Sequence, residues 1–567
     1  MVEWTALEMR RTLTGTLGSN PSLSAGKEGS FISFPLALFC EVVISLYLCG
    51  EILQEKMRKT RSNSHFPVVM MAAVAVSAAV QAQQRPNIVL FMVDDMGWQD
   101  TSVPFWTKPT PLNNTYETPN MERLARQGML FSEAYASAIS SPSRCSLLTG
   151  SNAARHRVTN WTFRKGQMTD GEDDLLAPPD WNYNGLCQAE GTPNTFVARS
   201  FVDILRSAGY HTIHCGKAHW GAQDTPGESP LHFGFEVNIA GHAAGGPATY
   251  LSERNFGHDA EGRPTAQFAI PGLKKYWGTG TFLTEALTQE ALGALDKSRQ
   301  PFFLYMSHYA VHIPIDRDMR FYEKYRKKGL SEKEAAYASL VEGMDKSLGD
   351  ILDWLERNNQ VENSIIIFMS DNGGYASGSE WRDEPLFTQN APLRSGKGSL
   401  LEGGIREPMI VRWPGVAKAG SRCDSYLIIE DFFPTILEMA GIRRYEVPQT
   451  VDGRSFVPLL RGKGDSSKER CLIWNYPHVW GNEGPGIDLN CAIRKGDWKL
   501  IYSYKTGQKE LYNIRQDIGE EHNLAAEQPK LVRRLSRHLG ERLRAMNAQR
   551  PTVKAIGKPC PWPDEQP

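Results

Sequence analysis

Asn87-Ile88-Val89-Leu90-Phe91-Met92-Val93, a run that stops at the acid pair Asp94-Asp95, decides the fold. From Ile88 onward it is continuously apolar. A run this short, without alternation, reads as a strand buried on both faces, the pattern of a parallel sheet. His211-Thr212-Ile213-His214-Cys215, Phe302-Phe303-Leu304-Tyr305-Met306, Ile365-Ile366-Ile367-Phe368-Met369 and Met409-Ile410-Val411-Arg412-Trp413 have a similar character. Helical stretches are expected between them, at residues 196–207 and 334–357. The second places Leu340, Met344, Leu348, Ile351 and Leu355 near helical spacing. Strands alternating with helices predict an α/β fold, a large and mainly parallel central sheet sandwiched by helices.

The pattern changes near residue 457. Leu472-Ile473-Trp474, Asn490-Cys491-Ala492-Ile493-Arg494 and Trp498-Lys499-Leu500-Ile501-Tyr502 are short strands, and Lys495-Gly496-Asp497 is a hairpin-like turn. A basic amphipathic helix follows at 530–546. The expected organisation is an α/β domain at 83–456 and a smaller C-terminal antiparallel sheet plus helix at 457–567. Upstream, residues 57–82 join a basic stretch, an apolar run and a small-residue end at Val80-Gln81-Ala82, as an export signal does. Residues 1–56 read as an upstream extension, with Met57 the initiator, or as a membrane anchor through the apolar segment 31–50. The expected location is periplasmic, cell-surface or extracellular.

The 567 residues carry a net charge of −1, which argues against a nucleic-acid binder relying on bulk positive charge. Nine cysteines are scattered without a Cys-x-x-Cys pair, so neither a zinc nor a redox site is expected. Residues 163–186, rich in Asp, Pro and Asn, form a long insertion and a candidate substrate loop, with 170–174 expected as solvated acids. Trp161, Trp381 and Trp480 could stack on a sugar, although burial explains them equally. Asn113-Asn114-Thr115 and Asn160-Trp161-Thr162 fit glycosylation sequons.

Open α/β sheets bind ligands at the carboxyl ends of their strands. Asp94-Asp95 closes one strand and Asp371-Asn372-Gly373-Gly374 another. Either pair alone is ordinarily an acidic turn or helix cap. Together, with Ser140 as a third element, they would form an all-oxygen site for calcium or magnesium. The stretch Ser140-Ser141-Pro142-Ser143-Arg144, running to Thr149-Gly150, places a Pro suited to a first helical turn beside small hydroxyl residues and an Arg. That is a plausible cradle for an oxyanion.

This Ser-x-Pro-x-Arg-x-x-x-x-Thr-Gly pattern resembles the signature of the type I, formylglycine-dependent sulfatases of the alkaline-phosphatase-like superfamily. The resemblance extends in order through Pro86 to Asp95, Gly216-Lys217-Ala218-His219-Trp220-Gly221, His312-Ile313-Pro314, Asp371-Asn372-Gly373, and Gly396-Lys397-Gly398-Ser399 with Glu402-Gly403-Gly404-Ile405-Arg406-Glu407-Pro408. It ends at Leu511-Tyr512-Asn513 through Asn523-Leu524-Ala525. Departures are Ala218 and Trp220 in the second block and Asn513 where Asp is common.

The resemblance implies hydrolysis of a sulfate monoester by S–O cleavage, with formylglycine made from Ser140 and a calcium ion held by Asp94, Asp95, Ser140, Asp371 and Asn372. The hydrated aldehyde would be the nucleophile, and its second hydroxyl would allow release of sulfate. Lys217, Lys397 and Arg144 would supply fixed positive charge, Arg144 chiefly by orienting the site. His312 is the candidate acid for the leaving sugar oxygen and His219 the candidate base, two roles that could be exchanged. His211, His214 and His308 carry no assignment. The implied substrate is a sulfated carbohydrate, such as a terminal galactose or N-acetylhexosamine sulfate. Ser at position 140 implies an anaerobic-type radical maturase as partner. The competing readings are a phosphoryl hydrolase of the same superfamily, which would usually show a second metal set, and a non-catalytic glycan-binding protein in which Ser140 is never matured.

Overall fold

The computed structural model describes residues 85–464 and 470–566. The expected upstream extension and export signal lie outside the described residues. The central sheet comprises β1 (Asn87–Val93), β2 (Met129–Tyr135), β3 (His211–Gly216), β4 (Val237–Ile239), β5 (Phe302–Ser307), β6 (Ser364–Ser370), β7 (Arg406–Arg412), β8 (Ser421–Cys423) and β9 (Leu427–Ile428). Their order is β8-β2-β7-β6-β1-β5-β3-β4, with β9 also paired to β2. β7 runs antiparallel to both neighbours, and the other pairings are parallel.

β1 lies at the centre, and its apolar run has a two-sided destination. Ile88, Leu90 and Met92 enter the core on one face, and Val89, Phe91 and Val93 enter the core on the other. The first face is covered by α1 (Ser140–Thr149) and α2 (Phe201–Ser207), through Leu147, Leu148, Phe201 and Leu205. The second is covered by α3 (Leu283–Asp296) and α4 (Glu332–Arg357), through Leu283, Leu287, Leu340, Met344 and Leu348.

The helix expected from residue 196 begins only at Phe201. Ser200 caps it by accepting a bond from the Asp203 amide, and Phe196–Val197 is instead a short strand paired with Leu186–Cys187. Helix α1 starts at Ser140, so Pro142 is its third residue rather than its first. A proline there removes no helical bond, because the first four amides have no partner within the helix. β2 and α3 are not anticipated from the sequence. In β2, Ser132 and Glu133 interrupt the apolar run, and Glu133 turns out to pair with Arg494 at 2.5 Å.

The second sheet is antiparallel throughout: β10 (Cys471–Tyr476), β11 (Asn490–Lys495), β12 (Trp498–Ser503) and β13 (Lys509–Asn513). Helix α5 (Pro529–Ala545) packs on it through Leu535, Leu539 and Leu543. Buried polar contacts join it to the main sheet. Trp474 Nε1 donates to the Ala136 carbonyl at 2.8 Å, and Lys499 reaches Glu402 at 3.0 Å. Among the described residues Cys145, Cys187, Cys215, Cys471, Cys491 and Cys560 form no disulfide. Both sequons are closed to modification in this fold: Asn160 is fully buried, and Asn113 is buried with its amide bonded to the Thr101 carbonyl.

Candidate active site

The parallel strands deliver their last residues to one edge of the sheet. β1 ends at Asp94-Asp95, β6 at Asp371-Asn372, β3 at Lys217, and α1 brings Ser140 at its first residue. Carboxylate oxygens of Asp94, Asp95 and Asp371 lie within 4.8 Å of one another, and all three side chains are fully buried. Ser140 Oγ is 3.2 Å from Asp94 Oδ1 and 3.1 Å from Asn372 Oδ1. The Asn372 amide nitrogen donates to Asp95 at 2.8 Å, which turns its carbonyl oxygen toward Ser140.

Cations ring this oxygen cluster. Lys217 Nζ donates to Asp94 at 2.6 Å and to Ser140 Oγ at 2.9 Å. Lys397 Nζ meets Asp95 at 2.8 Å, and Arg144 Nε meets Asp371 at 2.9 Å. Arg144 is itself fixed by Ser307 Oγ at 2.5 Å and the Lys217 carbonyl at 3.2 Å, and it does not line the cavity beside Ser140. It therefore orients Asp371 rather than facing a ligand.

The electrostatics are those of closely packed, buried charges. Burial, then the charge of Asp371, push the Asp94 carboxyl up to about 8. Burial also acts against Asp95, but Lys397, His312 and Lys217 outweigh it and hold that carboxyl far below the usual range. Asp371 is likewise held low, Arg144 overcoming burial. Burial lowers Lys217 to about 8. Three converging carboxylates with an amide oxygen beside them are hard donors, and they fit a divalent cation of the calcium or magnesium type. Among the described residues this is the one cluster of His, Cys, Asp or Glu side chains with such convergence.

Ser140 opens onto a cavity of about 290 Å³ lined by His219, His312, Lys397, Trp161, Trp480 and Tyr375, among others. His219 Nε2 donates to the Thr162 carbonyl at 3.0 Å, which leaves Nδ1 as a bare acceptor without a protein partner. His312 Nδ1 donates to the Ile313 carbonyl at 2.6 Å, and its Nε2 lies 3.7 Å from Asp95. Burial, followed by the neighbouring lysine charges, pushes His219 far below the ordinary histidine range and His312 to about 3. Both rings are neutral at pH 7. His308 and His214 are buried and absent from the cavity lining.

Trp161 and Trp480 line the cavity and Trp381 does not. Sequence reasoning did not find Gly245-Gly246, Phe268, Tyr375 or Asn482, which also line it. The glycine pair was the one available signal. A Cβ on Gly245 would stand 2.5 Å from the His219 ring, and one on Gly246 would stand 2.6 Å from the His312 ring. The acids at 170–174 are not uniformly solvated as expected. Asp170 accepts from His478 Nδ1 at 2.6 Å and from Trp181 Nε1 at 2.8 Å.

Comparisons with known proteins identify the family of the chain. The chain matches the sulfatase family over residues 86–442, and the C-terminal region of N-sulphoglucosamine sulphohydrolase over residues 396–549. It is 31% identical over 497 residues to a sulfatase of Formosa agariphila, covering 79% of this chain and 86% of that protein. It is 28% identical over 492 residues to N-acetylgalactosamine-6-sulfatase of Homo sapiens, covering 80% and 84% respectively. Among solved structures it resembles Ps i-CgsB, seen in complex with k-i-k-neocarrahexaose, at 27% identity and a TM-score of 0.64 over 81% of this chain and 93% of that one. The chain belongs to the sulfatase family and is a sulfuric ester hydrolase of the alkaline-phosphatase-like fold.

Proposed function

We propose that this sulfatase hydrolyses the sulfate ester of a sulfated carbohydrate, with Ser140 converted to formylglycine and calcium held by Asp94, Asp95, Asp371 and Asn372 beside it. The observation that carries the reading is the position of Ser140 Oγ, in contact at once with Asp94, Asn372 and Lys217 and open to the cavity. The carbohydrate substrate is supported by relatives named N-acetylgalactosamine-6-sulfatase and by a neighbour seen in complex with k-i-k-neocarrahexaose. A terminal galactose or N-acetylhexosamine sulfate is the form we favour.

When present, the cation would polarise the oxygens next to it, and the hydrated aldehyde at position 140 would supply both a nucleophilic hydroxyl and a second hydroxyl for sulfate release. The residues of the chain do the rest. Lys397, which lines the cavity, would present fixed charge toward the sulfate oxygens, and Lys217, fully buried and absent from the lining, would act through the oxygen at position 140 that it contacts. The bare Nδ1 of His219 suits a proton acceptor, and His312 faces the same cavity as the group that would serve the leaving oxygen. The anionic sulfate would favour the protonated form of His312, whose resting state is neutral. We further propose export through the signal at 57–82, placing the enzyme in the periplasm or at the cell surface, a catalytic domain from 83 to 456 with its C-terminal subdomain, and an anaerobic-type radical maturase as partner.

Peptide mass spectrometry of protein from its native host tests the reading. The tryptic peptide 127–144 should lack two hydrogens at Ser140 and react as an aldehyde. Unmodified Ser140 in native, sulfate-releasing protein would overturn the formylglycine assignment.

A further inference from the structure

Trp161 and Trp480 sit on segments far apart in sequence, and both are partly exposed where they line the cavity beside Ser140. The cavity's volume is at the small end for ligand pockets, which suits one sugar ring attached to its sulfate. Aromatic side chains offer a flat apolar face, while Asn482, Tyr375 and Lys397 offer polar contacts in the same space. A pyranose has that mixed character, with C–H groups on its faces and hydroxyls at its rim.

The segments carrying the two tryptophans are tied together by a buried relay. Thr159 Oγ1 donates to His478 Nε2 at 2.6 Å, and His478 Nδ1 donates to Asp170 Oδ1 at 2.6 Å. The linkage resembles that of a hydrolase triad, but Thr159 and His478 are buried and absent from the cavity lining. The void that Thr159 borders is about 10 Å³, room for one water at most. The relay is therefore a tie and not a second catalytic centre.

Further bonds extend it. The Gly171 amide donates to the Val479 carbonyl at 2.9 Å, one residue before Trp480. Thr169 Oγ1 donates to the carbonyl of Trp161 at 2.5 Å. Phe163, at the start of the insertion, packs edge-on against the cavity residue Phe268 at 5.0 Å between ring centroids. On the far side Trp480 lies against Gly398, where a Cβ would come within 2.4 Å of the indole. Every residue from 169 to 171 thus grips one of the two tryptophan segments.

We infer that Trp161 and Trp480 form a single-sugar subsite beside Ser140, and that the Thr159–His478–Asp170 relay is the positioning device that holds the two tryptophan segments in register. The inference rests on the sulfated-carbohydrate reading and deepens it. Trp161 and Trp480 select the sugar, while the sulfate end is left to the groups around Ser140.

The test separates the sugar end from the sulfate end and needs neither maturation nor turnover. Calcium-loaded full-length protein carrying Ser140→Ala is titrated calorimetrically with inorganic sulfate, galactose 6-sulfate and N-acetylgalactosamine 6-sulfate. At least one sugar sulfate should bind tenfold or more tightly than inorganic sulfate. Adding Trp161→Ala or Trp480→Ala should reduce that advantage to threefold or less, with inorganic sulfate affinity unchanged within twofold. Thr159→Val, which keeps shape but removes the hydroxyl, should reduce the advantage likewise, and Thr159→Ser should restore it. No sugar advantage in the parent protein, an advantage that survives both tryptophan changes, or Thr159→Val behaving as the parent would each overturn the inference. Failure of the formylglycine reading appears separately, as unmodified Ser140 in the native peptide.

Discussion

Two largely buried clusters of acids and bases invite comparison, because each contains three acids and three bases. Around Ser140 stand Asp94, Asp95 and Asp371 with Arg144, Lys217 and Lys397. At the junction of the two sheets stand Glu133, Glu402 and Glu520 with Arg406, Arg494 and Lys499. At the junction the signs alternate. Glu402 is reached by Lys499 at 3.0 Å, Arg406 at 3.3 Å and the Tyr135 hydroxyl at 2.6 Å, and Lys499 also meets Glu520 at 2.8 Å. Around Ser140 the signs are segregated, each acid having its cation on the outside while the carboxylate oxygens converge within. Charge balance does not separate a structural cluster from a reactive one here. Arrangement does, because converging carboxyl groups offer hard oxygen donors to a single cation.

The largest effect should come from removing that convergence. Asp94→Asn mimics the protonated acid that the apo site favours, so the fold should survive, with an unchanged melting temperature in chelator. Bound calcium should be lost, and turnover should fall by roughly a thousandfold or more. Metal content and sulfate release from the purified variant check both arms. Retention of calcium and activity would show that Asp94 is not a ligand. At the junction the opposite split is expected. Lys499→Met leaves the buried Glu520 without its cation and Glu402 with Arg406 alone, and should destabilise by roughly 3–5 kcal/mol in urea unfolding, while kcat of the folded enzyme stays within twofold.

The two clusters were unequally legible in the sequence. Strand ends carrying Asp94-Asp95 and Asp371-Asn372 are legible together: either pair alone is ordinarily a turn or cap, but two of them closing buried strands of one open sheet meet at its ligand-binding edge. Ser140, Lys217 and Lys397 were found through motif spacing. The junction cluster was not seen as such, since Glu402 and Lys499 lie 97 residues apart and neither flanking pattern points to the other. Strand β2 was missed for a related reason: Glu133, which breaks its apolar run, is paired by an arginine from the second sheet. The tie through Asp170 was misread as a solvated loop because its partner, His478, lies more than 300 residues away. Local patterns give elements and strand-end sites, and partners supplied by distant chain must await the fold.

A smaller effect is expected at the glycine pair that lines the cavity beside His219 and His312. Gly245→Ala would place a methyl 2.5 Å from the His219 ring, so the ring must move while its charge and bonding capacity remain. Displacing a positioned group by about 1 Å can reduce turnover up to roughly a hundredfold, and a fall of about 10–100-fold in kcat is expected, with less destabilisation than in Lys499→Met. Unchanged kcat would remove His219 from the set of acting groups.

The smallest effect concerns how the junction meets its own crowding. Burial raises Glu520 to about 7, with Lys499 opposing and Glu402 adding to the rise, from an ordinary value of 4.5. A carboxyl raised in the folded state contributes stability that is full below about pH 4.5, where both states hold the proton. That stability is lost as pH rises toward 7, where the unfolded state has already released it. The junction therefore takes a proton where the site at Ser140 would take a metal. Glu520→Gln cannot ionise, so its stability should change less between pH 5 and pH 8 than that of the parent. At pH 5 the variant should be the weaker protein, because one side-chain oxygen keeps the Glu402 amide and the other, which faces the Lys499 ammonium at 2.8 Å, becomes an NH2 group that cannot accept from it. By pH 8 the gap should narrow by about 2 kcal/mol, a discounted conversion of the shift. Parallel stability profiles in urea for parent and variant would show that Glu520 stays ionised and that alternation alone contents the junction.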